Sequence, residues 1–217
     1  MTTTTCTPTD RITRSLLGYG IVAGPAYVLV GLAQAITRDG FDLTRHSWSL
    51  LANGTLGWIQ IANFLAAGLM TAAAAVGLRR SLPNGTARRW SPPLIFAYGV
   101  SLIGAGVFRA DPAEGFPAGA PDTPALSWHG MLHLLIGGIG FLCLIAACFV
   151  LATHFARGGR RALARFSRIT GVAFLAGFAG IASGSHGPTT PAFLIAVVTV
   201  WAWLTIVSLH FFRTTAN

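Results

Sequence analysis

Two histidines four residues apart, His129 and His133, are the best-spaced metal ligands in this sequence. Residues i and i+4 lie about 40° apart around an α-helix, so both imidazoles would project from one face. A third ligand could come from His46, His186 or Asp111, with water as the fourth, as in catalytic zinc sites. The glutamate of the HExxH metalloprotease signature is missing. The pattern leaves two alternatives open: a divalent metal site, or histidines that hydrogen-bond Asp111, backbone carbonyls and one another.

A second set of polar residues follows one face of the second predicted helix. At 100° per residue its members fall within about 100° of arc, if the segment is helical throughout. Unpaired polar groups in lipid are costly, so such a stripe is expected to face the interior of a helix bundle. Gly54 and Gly57 could interrupt the helix and displace the first part of the stripe. The stripe consists of His46, Ser49, Asn53, Gln60 and Asn63.

Charged residues mark the end of the third predicted helix, in the segment FRADP at 108–112. Pro112 cannot continue a helix, so Arg109 and Asp111 are expected at its end. The two side chains could form an ion pair that fixes the loop. Alternatively, Arg109 could bind an anionic head group or substrate through its planar guanidinium.

Haem is disfavoured as a cofactor by the positions of the histidines. His154 and His210 could face each other near one membrane surface, but His133 lies about 31 Å of helix away from His154. Two haems would then lie at opposite surfaces. His154 and His210 are expected instead in the head-group layer, beside Arg157 and Arg213.

Composition identifies the environment of the elements that must hold these residues. Hydrophobic residues make up 53% of the 217 residues and charged residues 10%, whereas soluble domains carry about 25% charged residues. The chain has too little polar material to coat a water-facing globule, which argues against a soluble enzyme or a disordered tail. The three cysteines form neither a disulfide framework nor a zinc-binding spacing. With a mean hydropathy of +0.63, the chain is expected to lie in a membrane.

Long intervals without charged residues predict six membrane-crossing helices. A hydrocarbon core of about 30 Å needs about 20 helical residues. Four intervals hold one helix each, and the last, between Arg168 and Arg213, holds two separated by glycines and Pro188. We therefore expect an all-α, polytopic six-helix bundle forming a single membrane domain over residues 1–217. Its helices are expected at roughly 15–36, 57–78, 90–109, 128–154, 167–183 and 191–212.

Arginine placement predicts how the bundle is oriented. All 15 basic residues are arginines, and with six acids the net charge is +9. Twelve arginines fall on one side of the predicted bundle, while Arg38, Arg45 and Arg109 share the other side with five acids. Because positively charged short loops stay cytoplasmic, both termini are expected inside, in a multi-pass protein of the plasma membrane. This one-sided placement explains the net charge without nucleic acid as a partner and makes membrane lipids the expected partner.

Three stretches of the sequence carry a family resemblance. They are HSWSLLANGTLGWIQIANF at 46–64, GVFRADP at 106–112 and WHGMLH at 128–133. Together they resemble a prokaryotic family of integral membrane proteins, domain-of-unknown-function family 998, over nearly the whole chain. The resemblance implies a multi-helix, bacterial membrane protein and supplies no activity and no site residues.

Three functions remain open at this point. The first is an uncharacterised membrane protein whose outward-facing polar pocket binds or passes a small molecule or a lipid head group. Transport by so few helices would require a homo-oligomer. The second is a membrane-embedded, metal-dependent lipid hydrolase or transferase, and the third is a structural or accessory subunit without catalysis. The expected pocket residues are His46, Ser49, Asn53, Gln60, Asn63, Arg109, Asp111, His129, His133 and His186.

Overall fold

Six long helices dominate a computed structural model that describes residues 8–123, 125–184 and 187–215. All six are long and apolar enough to cross a membrane. They confirm the predicted all-α fold and make the chain a multi-pass membrane protein. The elements are α1 (Pro8–Thr37), a short 3-10 helix (Trp48–Ala52), α2 (Gly57–Ser81), α3 (Thr86–Val107), α4 (Trp128–Arg157), α5 (Arg161–Ala182) and α6 (Thr189–Thr214).

Several helix ends differ from the predicted ones. Helix α1 begins at Pro8 rather than near residue 15, and α5 begins at Arg161 rather than near residue 167. Charge-free intervals mark only the apolar part of a helix, and these two helices continue into arginine-bearing turns. Helix α3 ends at Val107, so Arg109 lies in the following loop and not in the helix.

The helices form a ring in chain order. Each helix packs against its neighbours in sequence, and α1 also packs against α6. Short connections between α2 and α3 and between α4 and α5 make those neighbours antiparallel. The long connections, 38–56 and 108–127, therefore share one end of the bundle, which we call the long-loop end. The short connections share the opposite, arginine-rich end.

Aromatic side chains fill the centre of the ring. Trp201 of α6 stacks on Tyr27 of α1, with ring centroids 4.8 Å apart, and lies 5.8 Å from Tyr98 of α3. Phe141 of α4 packs edge-on against Phe174 of α5 at 5.2 Å. Such aromatic pairs add to the stability that burial alone supplies. The centre of the ring is therefore occupied by side chains of the protein itself.

Small residues let neighbouring helices approach closely. A Cβ at Gly68 of α2 would lie 2.6 Å from the carbonyl oxygen of Gly99 in α3. The reverse approach is similar, because a Cβ at Gly99 would lie 2.8 Å from the carbonyl oxygen of Gly68. In a membrane, where lipid is as apolar as leucine, such backbone contact is a main source of helix association.

Candidate functional site

The first long connection is folded around Asp42. The backbone N–H and the hydroxyl of Thr44 donate to Asp42 Oδ1 at 2.8 and 2.7 Å. These hydrogen bonds lower the pKa of Asp42 below its usual value, because they stabilise the carboxylate. The carbonyl of Asp42 accepts the backbone N–H groups of Arg45 and His46 at 3.1 and 2.8 Å. The turn thus fixes the backbone positions from which the Arg45 and His46 side chains project.

His46 joins the two long connections. Its Nδ1 accepts the backbone N–H of Asp42 at 2.8 Å, so the ring proton is on Nε2, which donates to the Glu114 carbonyl at 3.0 Å. The ring is 4% exposed and lies 5.2 Å from the ring of Phe41 and 5.6 Å from that of Phe116. Both ring nitrogens are therefore occupied by backbone groups of the long connections.

Arg38 stabilises the end of the 3-10 helix. Its guanidinium donates to the carbonyls of Leu51 at 2.5 Å and Asn53 at 2.6 Å, and it lies 4.8 Å from the centre of the Phe116 ring. Partial burial lowers the pKa of Arg38, but an arginine still remains a cation. A cation is well placed at helix-terminal carbonyls. Asn53 adds a link between the connections, because its Nδ2 donates to the Ala110 carbonyl at 3.1 Å.

Asp111 accepts two hydrogen bonds from Ser127 at the start of α4, a contact that we call the clamp. Its carboxylate accepts the backbone N–H of Ser127 at 2.8 Å and the Ser127 hydroxyl at 2.5 Å. Ser127 is the N-cap of α4, and its Oγ accepts the backbone N–H of Gly130 at 3.1 Å. Burial raises the pKa of Asp111, but the two hydrogen bonds from Ser127, together with the neighbouring His129 and His133, outweigh it and hold the pKa below its usual value. Asp111 is therefore an ionised structural group.

The two spaced histidines of α4 have different surroundings. His129 is partly exposed, and its Nδ1 lies 3.7 Å from Asp111 Oδ1 and 3.0 Å from Ser127 Oγ. His133 is 7% exposed, and its Nδ1 donates to the carbonyls of Phe108 at 2.8 Å and Ala105 at 3.2 Å. One ring thus lies among the loops, and the other satisfies carbonyls at the end of α3.

Metal ligands are not gathered in the part of the chain that the structure describes. Within it, no group of three His, Cys, Asp or Glu side chains is placed to hold an ion. His129 and Asp111 are close, but His46 and His133 are bonded elsewhere. His186 lies outside the described residues, so a metal site that includes it stays a prediction.

The polar stripe of the second predicted helix is broken in two. The 3-10 helix ends at Ala52, and the chain turns at Gly54, with a φ of 74°, before α2 begins at Gly57. The stripe is therefore not helical throughout, because the left-handed Gly54 separates its first part from α2, the interruption that the sequence had left open. Ser49 lies in the 3-10 helix, with its Oγ 3.1 Å from that of Ser47.

The second part of the stripe lies in the bundle interior. Gln60 Oε1 accepts from Gln34 Nε2 at 2.9 Å and from Asn63 Nδ2 at 3.3 Å. Asn63 also donates to the Tyr27 carbonyl at 3.1 Å. Gln34 Oε1 and Gln60 Nε2, although buried, have no hydrogen-bond partner among the described residues. Sequence reasoning missed Gln34, because it is a single amide in an otherwise apolar stretch of α1.

A cleft of about 780 Å³ lies between the two long connections. Its wall includes Ala35 and Ile36 from the end of α1, and Ile36 is 77% exposed on a helix that can cross a membrane. The cleft therefore passes from a charged rim to an apolar surface. The ionisable side chains that line it are Arg38, Asp42, Arg45, His46, Glu114 and Asp122.

Among the described residues of the predicted pocket, His46 alone lines this cleft. Asn53, Asp111 and His129 bond within or between the long connections, whereas Arg109 is exposed beside them. Sequence reasoning on histidines and amides missed the other charged residues of the cleft. The signal that could have found them is the concentration of five of the six acids beside Arg38 and Arg45.

Comparison with known proteins gives a family and no activity. No curated protein and no solved structure matches the chain. One family model, described as a protein of unknown function (DUF998), matches residues 21–210. The match covers both long connections and the cleft between them. The chain therefore belongs to the DUF998 family of proteins of unknown function.

Proposed function

We propose that this protein binds the polar head group of a membrane lipid in the cleft at its long-loop end. The observation that carries the proposal is the change in the cleft wall, from charged loop residues to Ala35 and the exposed Ile36 of α1. A ligand with a charged head and an apolar tail matches both parts. The volume of about 780 Å³ lies within the usual range for small-molecule sites, about 300–1,000 Å³.

Binding is favoured over passage across the membrane. Trp201, Tyr27 and Tyr98 fill the centre of the ring beneath the long-loop end, with ring centroids 4.8 and 5.8 Å apart. Passage of a head group would require these large side chains to separate. Binding at the long-loop end needs no such rearrangement.

The proposed orientation places the cleft at the outer surface of the plasma membrane. The arginine-rich end and its flanking segments hold twelve of the fifteen arginines, and the long-loop end holds three. Since short loops rich in arginine stay in the cytoplasm, both termini would be inside. The cleft would then meet lipids of the outer leaflet.

Lipid binding to purified protein tests the proposal, with phospholipid retention measured by native mass spectrometry. Arg45→Gln is expected to weaken binding about tenfold, since a hydrogen bond to a charged group contributes about 1.5–3 kcal/mol. Arg109→Gln is the matched control, because Arg109 is exposed at the same end but does not line the cleft. Equal binding by both variants and the wild type would contradict the proposal.

A second candidate, a lipid hydrolase or transferase, takes support from the contact of Ser127, His129 and Asp111. Ser127 Oγ lies 3.0 Å from His129 Nδ1. We rank it lower, because the Ser127 hydroxyl donates to Asp111, whose lowered pKa makes it a weak base. Covalent labelling of the wild type by a fluorophosphonate, absent in Ser127→Ala, would support this candidate, and an unlabelled wild type would reject it.

A further inference from the structure

We infer that the head group held in the cleft is zwitterionic, with a primary ammonium beside a phosphate, as in a phosphatidylethanolamine. The inference rests on the proposed function and names the class of lipid. It follows from which charges of the cleft wall are already used by the protein and which remain for a ligand.

Two of the three basic side chains in the cleft wall are committed to the protein. Arg38 donates to the carbonyls of Leu51 and Asn53 and lies over the Phe116 ring. His46 uses both ring nitrogens in hydrogen bonds to backbone groups of the protein. The remaining cation is Arg45, which is exposed and donates a long hydrogen bond of 3.4 Å to the Glu114 carbonyl.

Carboxylates outnumber this remaining cation. Asp42, Glu114 and Asp122 all line the cleft, and Asp42 and Asp122 are exposed. The hydrogen bonds from Thr44 lower the pKa of Asp42, so it is ionised at neutral pH. Glu114 is held at a φ of 56°, in the left-handed region that non-glycine residues seldom adopt. The cleft thus offers a ligand one guanidinium and the two exposed carboxylates of Asp42 and Asp122.

These charges discriminate among common head groups. An anionic head group would gain Arg45 but would bring its charge close to three carboxylates. A quaternary ammonium has no N–H to donate to a carboxylate. A primary ammonium has three N–H donors, and the adjacent phosphate can pair with the planar guanidinium of Arg45. Only the zwitterion with a primary ammonium satisfies both kinds of group.

The apolar part of the wall favours a lipid over a free head group. Ala35 and Ile36 line the same cleft, and Ile36 is exposed where a membrane-crossing helix ends. An acyl chain that leaves the cleft here would lie along α1. A soluble glycerophosphoethanolamine lacks that contact and is expected to bind more weakly than the lipid.

Competition among phospholipids in detergent solution tests the inference. Phosphatidylethanolamine, phosphatidylcholine and phosphatidylglycerol are mixed in equal amounts with the full chain, and the retained lipid is read by native mass spectrometry. We expect about tenfold preference for phosphatidylethanolamine, a difference of about 1.4 kcal/mol. Asp42→Asn/Asp122→Asn is expected to lose that preference and still bind lipid. Asp122→Asn alone, which leaves the Asp42 turn intact, is expected to lose part of the preference for phosphatidylethanolamine.

The matched control is Asp39→Asn, because Asp39 is exposed at the same end but does not line the cleft. It is expected to keep the wild-type preference. Saturable binding with equal or greater affinity for phosphatidylglycerol would overturn the inference and leave the proposed function standing. No saturable binding of any lipid would overturn both. Binding of glycerophosphoethanolamine as tight as that of the lipid would overturn the lipid as the ligand.

Discussion

Buried polar side chains at the long-loop end mostly serve backbone groups of the protein itself. Arg38, His46, Asn53 and His133 each bond to carbonyls of a long connection or a helix end. Backbone N–H and C=O groups out of contact with water must find hydrogen-bond partners. Irregular segments beside a membrane leave many of these groups without a backbone partner. In the proposed function, contact with the ligand falls to less buried residues, above all Arg45.

The amide cluster in the interior allows a test of coupling between two residues. Gln60→Leu leaves the buried donors of Gln34 and Asn63 without their shared acceptor, at an expected cost of about 1–3 kcal/mol in unfolding free energy. Gln34→Leu/Gln60→Leu also removes two unpartnered atoms and should recover much of that loss. Chemical unfolding in detergent measures both. A double variant less stable than Gln60→Leu would contradict the cluster.

The lowered pKa of Asp111 predicts that the protein loses stability at acidic pH. The pKa of Asp111 is lower in the folded chain than the ordinary value of about 3.9, so its contribution is complete above that value. The contribution is lost as pH falls through the folded pKa, because only the carboxylate accepts both hydrogen bonds from Ser127. The difference in melting temperature between wild type and Asp111→Asn should therefore shrink below about pH 4. A difference independent of pH would contradict the clamp.

Residue types alone could not separate these roles. The sequence drew attention to His46 and Asp111, and both lie at the long-loop end, but their bonds turn inward to the protein. Whether a histidine donates to a carbonyl or to a ligand depends on loop conformation, and periodicity says nothing about loops. Arg45 and Asp122 were visible only as unusual charges on the arginine-poor side.

At the scale of elements, the junction between the second long connection and α4 is the tightest contact of the site. A Cβ at Gly130 would overlap the carboxylate of Asp111. Gly130→Ala is therefore expected to displace the clamp and destabilise the protein by about 1–3 kcal/mol. Gly137→Ala in the same helix is the control, because nothing lies within 4 Å of its added Cβ. Melting temperatures should fall for the first variant only, and equal effects would contradict the clamp.

The helices themselves were predictable, and their connections were not. Charge-free intervals located all six helices, because the part of a helix that lies in hydrocarbon must exclude charge, whereas the helix ends that carry arginines fell outside the intervals. The polar stripe, counted at 100° per residue, did not predict the 3-10 helix at Trp48–Ala52 or the turn at Gly54. A short helix has too few residues to show a period, so its place depends on tertiary bonds such as those of Arg38.

At the scale of the whole molecule, the two ends differ in charge. The long-loop end holds five of the six acids and three arginines, and the other twelve arginines lie toward the opposite end. The same asymmetry gives the cleft an acidic rim. The proposed orientation and the proposed ligand preference thus rest on one charge distribution.

Cysteine labelling of intact cells tests the orientation. Ala118 and Ala162 are both exposed, the first in the long connection 108–127 and the second near the start of α5. In a background without Cys6, Cys143 and Cys148, Ala118→Cys should react with a membrane-impermeant maleimide and Ala162→Cys should not. Both should react after permeabilisation. Labelling of Ala162→Cys alone in intact cells would mean the reverse orientation.

Photo-crosslinking tests the central claim, that a lipid head group occupies the cleft, most directly. A phosphatidylethanolamine with a photoreactive group near its phosphate is added to the membrane-embedded protein, and the sample is irradiated. Peptide mass spectrometry then maps the residues that carry lipid adducts. We predict adducts concentrated in the segments 35–46 and 114–122, which form the cleft wall, and reduced in Arg45→Gln. Adducts spread evenly over the lipid-exposed helices, or concentrated at the arginine-rich end, would contradict the claim.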